Sequence, residues 1–221
     1  MNQSNLGQFL YQLSINKSDI FFIQIGAGDG LLYDPISYFA RNYQWSGILV
    51  EPVFYLYEKL ISNYNETEKL VFENLAISNK TELRKFYYLA ESNDTNPEWY
   101  IHLGSFFKNV ILGHRNKILN IEEKIIETRV QCVSLERLII KHKVTNLDLI
   151  CIDTEGYDFE IIKQLDFNKF SPSIIIYEHI HLDHDSSFGC ERLLKHHGYD
   201  LFHDTENTIA VKIDCFEGGI T

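Results

Sequence analysis

Asp153, Glu155, Glu178, His179 and His181 are residues of the types that move protons or hold cations, and they fall in two short stretches. Cys151-Ile-Asp-Thr-Glu-Gly156 sets two carboxylates two positions apart, after an apolar run and before a glycine. At a strand end, that spacing lets one carboxylate face a ligand while the other meets supporting backbone. Gly156 then permits a tight turn or a close approach. Glu178-His-Ile-His-Leu-Asp-His-Asp185 holds three His, one Glu and two Asp in eight residues. Imidazole with carboxylate suits Zn, Fe or Mn, a histidine general base or a solvated polar loop. The base and loop readings are preferred, and no metal is assigned. Strand alternation would set Glu178 and Ile180 on one side and His179 and His181 on the other.

The second chemical signal lies near the N-terminus. An apolar run from Ile20 to Ile25 breaks abruptly into Gly26, Gly28 and Gly30, and an amphipathic segment starts near Asp34 and Pro35. A strand feeding a glycine turn and then a helix brings bare backbone N–H groups and a helix N-terminus to one spot. The spacing is Gly-x-Gly-x-Gly, not the Gly-x-Gly-x-x-Gly of dinucleotide folds. Glu51 ends a second apolar run about twenty residues on, where an acid can accept both hydroxyls of an adenosine ribose. Asn74 and Ala76 follow a third run and would lie beside an adenine ring.

These residues need a scaffold that gathers strand ends. Leu6, Phe9, Leu10 and Leu13 mark a first helix within 1–18. Apolar runs at 20–25, 45–51, 69–78, 127–133, 147–153 and 173–178 read as strands, with an extended segment at 82–89. Helical spacing appears at Ile36, Phe39, Ala40 and Tyr43, and again at Phe54, Tyr57, Leu60 and Ile61, ending around 63–65. Ser134 caps a helix through Leu135, Leu138 and Ile139. Asp158 reads as the cap of a helix through Ile161, Ile162 and Leu165. Cys190, Leu193 and Leu194 mark a helix closed by Gly198, and 200–203 with 208–213 form an antiparallel pair. Between 91 and 120 the pattern weakens, and the aromatics there suggest a lid over the site. Alternating strands and helices indicate one α/β domain over 1–221, with a largely parallel sheet covered on both faces. Ligands of such sheets bind beyond the carboxyl ends of the strands, where all these polar residues fall.

With 221 residues, 45% hydrophobic and 23% charged, the chain reads as a globular protein with a sizeable core. Its formal charge of −11 repels phosphate backbones and anionic membranes, which argues against nucleic acid as a partner. No apolar run reaches the roughly 20 residues of a membrane helix. Four separated cysteines and no visible secretory signal give free thiols and a cytoplasmic location as expectations.

The chain resembles the FkbM-type, S-adenosylmethionine-dependent O-methyltransferases. Phe22-Ile-Gln-Ile-Gly-Ala-Gly-Asp-Gly30, Val50-Glu-Pro52, Glu73-Asn-Leu-Ala-Ile-Ser78, Val133-Ser-Leu-Glu-Arg-Leu138, Cys151-Ile-Asp-Thr-Glu-Gly-Tyr-Asp158 and Ile175-Ile-Tyr-Glu-His179 carry the resemblance in the family's order. It implies a Rossmann-like class I methyltransferase fold: a mostly parallel seven-stranded sheet, an antiparallel C-terminal strand and helices on both faces. It implies S-adenosyl-L-methionine held by Gln24, Gly26, Ala27, Gly28, Asp29, Gly30, Glu51, Pro52, Asn74, Ala76 and Asp153. Methyl transfer to a small-molecule or glycan hydroxyl would draw on His179, His181, Glu178, Asp153 and Glu155. Gln24 stands where the family carries an acid against the methionine amine, so that contact falls to Asp29 or a backbone carbonyl. Competing readings are a nicotinamide dehydrogenase, disfavoured by the glycine spacing, a non-catalytic cofactor-binding scaffold, and metal-dependent carbohydrate chemistry at 178–185.

Overall fold

The computed structural model describes residues 4–64, 68–91 and 98–215. In chain order the main elements are α1 (Ser4–Asn16), β1 (Phe21–Ile25), α2 (Ser37–Asn42), β2 (Ser46–Val50), α3 (Phe54–Asn63), β3 (Leu70–Glu73), β4 (Ala76–Ile77) and β5 (Glu82–Leu89). They continue with β6 (Gly104–Ser105), α4 (Lys108–Gly113), α5 (Ile121–Lys124), β7 (Ile125–Val133), α6 (Leu135–Lys141) and β8 (Leu149–Ile152). The chain finishes with α7 (Asp158–Ile162), β9 (Ile174–Glu178), α8 (His184–His196), β10 (Asp200–His203) and β11 (Asn207–Val211).

Seven strands form the main sheet in the order β10-β11-β9-β8-β1-β2-β3. From β9 to β3 all neighbours pair in parallel, whereas β11 runs antiparallel to both β9 and β10. Strand alternation divides the core. Phe22, Leu49, Leu149, Cys151, Ile174 and Ile176 pack with Phe9, Leu10 and Leu13 of α1, Ala40 of α2 and Leu60 of α3. Ile23, Ile25, Ile48, Val50, Ile150, Ile152 and Ile175 pack with Leu135 and Leu138 of α6, Ile161 of α7 and Leu194 of α8. The central strands are buried on both faces, which explains their unbroken aliphatic runs. This is the Rossmann-like arrangement that the resemblance implies, and its reversal of strand order between β1 and β8 opens a crevice at their carboxyl ends.

Three departures from the sequence reading have physical causes. The run at 69–78 is two strands: β3 ends at Glu73, and β4 pairs with β7 in a separate sheet of order β4-β7-β5-β6. Asn74 sits at the break because its Nδ2 donates to the carbonyls of Glu51 (2.8 Å) and Pro52 (3.2 Å), turning the chain away from the main sheet. The helix after the glycine turn starts at Ser37, not near Asp34, so no helix N-terminus abuts the glycines. Asp34 takes the N–H groups of Ile36 and Ser37 on Oδ1 (2.8 and 2.9 Å) and holds the intervening loop closed. Asp158 does not cap α7, whose N-cap is Tyr157. Fully buried, it takes the Thr154 hydroxyl (2.8 Å) and the Glu178 N–H (3.2 Å), joining the turn after β8 to the end of β9.

Ser134 caps α6 as expected, accepting from the Arg137 N–H at 3.2 Å, and Gly198 follows α8 with φ of 80°. The segment read as irregular carries β6 and α4 with two short 3-10 turns; the turn-rich residues 92–97 and residue 65 lie outside the described residues. Cys132, Cys151 and Cys190 are buried free thiols and Cys215 an exposed one.

Candidate active site

A cavity of about 520 Å³ opens at the carboxyl ends of β1, β2 and β8. Gln24, the Gly26–Gly28 turn, residues 31–35, Glu51 and Pro52 form one side, and Asp153, Thr154 and Glu155 another. Leu75–Ile77, Phe86, His102, Gly104 and Phe106 close it from the second sheet, while Leu6 and Gly7 of α1 and Asp204, Glu206 and Asn207 of the β10–β11 turn reach its edge.

Glycine is required in the turn for two reasons. Gly26 has φ of 79°, and a Cβ there would meet the Asp153 carbonyl oxygen at 1.7 Å, because β1 and β8 converge at this point. Gly28 has φ of 55°, and a Cβ there would fall 2.7 Å from His102 Nδ1. The backbone of β1 therefore crosses the cavity floor with no side chain in the way, as a ligand in close contact demands.

Glu51 is buried, and both its oxygens are held. Oε1 accepts from the Val53 N–H at 2.7 Å and Oε2 from the Gly28 N–H at 2.8 Å. Burial pushes its carboxyl up to about 8, opposed by those two N–H groups. Each oxygen keeps a second lone pair, so the fixed carboxylate can still receive two hydroxyls from the cavity. Asp29 is similarly engaged, Oδ1 accepting from Leu31 and Leu32 at 2.9 Å. His102 Nε2 stands 3.9 Å from Asp29 Oδ2, and burial lowers the imidazole's pKa despite that acid.

Gln24 faces the cavity beside Asp34. Gln24 Oε1 and Asp34 Oδ2 are both buried with no hydrogen-bond partner among the described residues. Burial raises the Asp34 carboxyl, opposed by the Ile36 N–H, the Gln24 side chain and the Ser37 N–H. Two unmet acceptors side by side form a natural seat for an ammonium group. Sequence reasoning assigned Asp34 no ligand role. Its visible signal was Asp34-Pro-Ile-Ser37, a loop-closing pattern that does not announce a free second oxygen.

The other end of the cavity is crowded with acid. Glu155, in the left-handed region with φ of 52°, is fixed through its carbonyl by the Ser105 hydroxyl at 2.7 Å. His181 Nε2 lies 3.0 Å from Glu155 Oε2 and 3.8 Å from Glu178 Oε1, and the His114 ring packs 5.4 Å from that of His181. The enclosing walls push the Asp153 carboxyl well above the usual range, and Glu155, Asp158, Glu51 and Glu206 add to the shift. Burial raises Glu178 in the same way, reinforced first by Asp153 and then by Glu155. For His181 burial acts downward, but the Glu155 carboxylate outweighs it and the net shift is up. Burial lowers His114 against the pull of Glu155.

The structure gathers Gln24, Gly26, Ala27, Gly28, Glu51, Pro52, Ala76, Asp153 and Glu155 around the cavity. Asp29 and Gly30 support the turn behind it, with Gly30 N–H bonded to the Ala27 carbonyl at 3.0 Å. Asn74 is spent on the carbonyls of Glu51 and Pro52, and Leu75, Ala76 and Ile77 line the wall instead. Glu178 and His181 stand behind Glu155. His179 is apart from them: its Nδ1 lies 3.0 Å from Thr208 Oγ1, and its ring meets His203. The alternation expected to pair His179 with His181 fails because β9 ends at Glu178 and the chain turns at once, Leu182 N–H bonding to the His179 carbonyl at 3.1 Å. His102, His114 and the Asp204–Asn207 turn were not foreseen. They sit far along the chain in segments without a periodic pattern.

No curated protein sequence matches the chain. Among solved structures, it is similar to the ribosomal protein L11 methylase of Lactobacillus delbrueckii subsp. bulgaricus at 12% identity and a TM-score of 0.45, covering 95% of this chain and 77% of that one. It is also similar to the precorrin-6y C5,15-methyltransferase of Geobacter metallireducens at 12% identity and a TM-score of 0.46, covering 94% and 88%. The N-terminal domain of human METTL16 in complex with SAH aligns at 10% identity and a TM-score of 0.46, covering 95% and 70%. The methyltransferase FkbM domain profile matches residues 24–201, from the residue before the glycine turn to β10. That match spans most of the chain, which therefore belongs to the FkbM methyltransferase domain family and is a methyltransferase with S-adenosylmethionine as its cofactor.

Proposed function

We propose that this methyltransferase acts on a hydroxyl of a sugar, glycan or secondary metabolite. The observation that carries the reading is the pairing, within one cavity, of a glycine-floored cradle at Gly26–Gly28 and Glu51 with an open carboxylate at Asp153. Glu51 receives the ribose hydroxyls, and its two backbone bonds keep it from rotating away. Asp34 and Gln24 receive the methionine ammonium, replacing the acid the family carries at position 24. Leu75, Ala76 and Ile77 flank the adenine.

Bound S-adenosylmethionine supplies a methyl group on a sulfonium that already contains its leaving group. The chain therefore has to align the acceptor oxygen with the methyl carbon and exclude water. An aliphatic hydroxyl must shed its proton as it attacks, and the Asp153 carboxylate, facing the cavity, takes it. Glu155, Glu178 and His181 back Asp153 and fix the local charge. Asp204 and Glu206 at the cavity edge add further acid. Neutral or cationic acceptors suit such walls, and nucleic acids and other polyphosphates do not.

The wall built by 98–106 and α4 acts as the lid expected for 91–120, and 1–221 works as one methyltransferase domain. Among the described residues no helix is long and apolar enough to cross a membrane. A small-molecule acceptor made in the cytoplasm fits the free cysteines. The test is incubation with methyl-labelled cofactor and a panel of sugars, glycans and macrolide-like alcohols. One added methyl on a hydroxylated acceptor is expected; transfer confined to amines or carboxylates would overturn the reading.

A further inference from the structure

Behind Asp153, three side chains from three separate elements meet: His114 after α4, Glu155 after β8 and His181 after β9. One ligand atom of each lies within 4.8 Å of the others, and a second such group joins Glu155 to Asp153 and Glu178. Ligand bonds of about 2.0–2.2 Å place neighbouring ligands about 3–4.4 Å apart around a shared ion. The 3.0 Å between His181 Nε2 and Glu155 Oε2 and the 3.8 Å to Glu178 Oε1 already fall in that range.

Two atoms of this cluster, His114 Nε2 and Glu178 Oε2, are buried with no hydrogen-bond partner among the described residues, and Glu155 Oε2 meets His181 Nε2 at 3.0 Å. Glu178 is only 9% exposed. A buried carboxylate oxygen without a donor is costly unless something absent from the chain satisfies it. Glu155 is also held in a left-handed backbone conformation that a non-glycine residue rarely adopts, with its carbonyl pinned by Ser105.

We propose that His114, Glu155 and His181, with Glu178 beside them, bind one divalent first-row cation of the Mn2+ or Zn2+ class next to the acceptor site. Two imidazoles with carboxylates suit those ions better than the all-oxygen shells of Mg2+ or Ca2+. Glu155, shared with the group that contains Asp153, also lines the cavity and so joins this site to it. This deepens the hydroxyl-methylation reading and rests on it for its role. The acceptor hydroxyl coordinates the cation, which acidifies it, and its proton passes to the Asp153 carboxylate and then to solvent. The oxygen lone pair forms the new bond to the methyl carbon as the carbon–sulfur pair returns to sulfur. The products are a methyl ether, a neutral thioether and one proton, with no oxidant or reductant consumed.

The test is titration of the full-length protein, stripped with chelator, with Mn2+ followed by electron paramagnetic resonance and with Zn2+ followed by calorimetry. One ion per chain is expected, bound about 100-fold more weakly or more in His114→Ala and in Glu155→Gln. His184→Ala removes an exposed imidazole from the same histidine-rich stretch and should bind as the unaltered protein does. Undiminished binding of S-adenosylhomocysteine by each variant confirms that it is folded. Absence of a stoichiometric ion, or equal affinity in all three variants, overturns the site. Full-rate methyl transfer to a hydroxyl by metal-free protein overturns its role while leaving the hydroxyl-methylation reading intact. A bound ion with methylation confined to amines overturns that reading and, with it, the role given to the cation.

Discussion

The two ends of the cavity are built on opposite principles. At the glycine end, the chain satisfies the acids that hold the turn, Glu51 taking N–H groups from Gly28 and Val53 and Asp29 those of Leu31 and Leu32, and leaves only the Gln24–Asp34 seat unmet among the acceptors described above. At the acid end, Glu178 Oε2 and His114 Nε2 face burial with no hydrogen-bond partner among the described residues, and Glu155 Oε2 has only His181 Nε2 at 3.0 Å. The glycine turn and Glu51 are fixed before any ligand arrives, whereas the carboxylate and imidazole cluster of the acid end needs a partner to become complete. Preorganisation suits a cofactor whose shape never varies. An unmet polar cluster suits the place where charge moves during reaction.

The largest effect should come from collapsing the preformed end. Gly26→Ala drives a Cβ into the Asp153 carbonyl at 1.7 Å, which should cost more than about 4 kcal/mol of stability and abolish cofactor binding. Thermal denaturation and calorimetry with S-adenosylhomocysteine check both; binding within tenfold of the unaltered protein would show that the two strand ends do not converge as described.

Glu51→Ala comes next. Two hydroxyl hydrogen bonds of about 0.5–1.5 kcal/mol each are lost, so affinity for S-adenosylhomocysteine should fall about 10–100-fold. The Gly28 and Val53 N–H groups also lose their acceptor, and chemical denaturation should report a stability loss of about 1–3 kcal/mol. Glu155→Gln should break the comparison from the other end. Turnover should fall by about 100-fold, with product affinity changed less than about threefold, because the residue lies away from the cradle. A matching loss of affinity would mean that the two ends are one unit.

The smallest effects concern pH and the separated histidine. Burial holds the Glu51 carboxyl at about 8, against 4.5 for the exposed group, so the folded chain keeps a proton that the unfolded chain releases. Stability of the ligand-free protein should therefore fall as pH rises from about 5 to about 8. Glu51→Gln should flatten that slope in urea denaturation, and identical slopes would place the titrating group elsewhere. His179→Ala should alter neither affinity nor turnover by more than about threefold, since Thr208 and His203, not the cavity, surround it.

The same contrast separates what the sequence disclosed from what it hid. The core strands were legible because burial on both faces demands continuous apolar runs such as Leu149–Ile152 and the Ile174, Ile175 and Ile176 stretch of β9. The cradle was legible because a left-handed backbone crossing another strand's carbonyl admits little but glycine. The second sheet was not. Its strand β4 is two residues long and continues the apolar run of β3, and only the Asn74 side chain marks the break. Asp34 and His114 were hidden because their place in the site depends on loop closure and tertiary packing, which carry no period. The pairing of His181 with Glu178 was misread because alternation was extended past the point where β9 stops.

The most direct test is the bond that the transferred methyl group forms. With 13C-methyl-labelled cofactor and an accepted substrate, long-range carbon–proton NMR correlation locates the new methyl. A methyl attached through oxygen to a carbinol carbon of a sugar or alcohol is expected. Attachment to nitrogen, carbon or a carboxyl oxygen would contradict it.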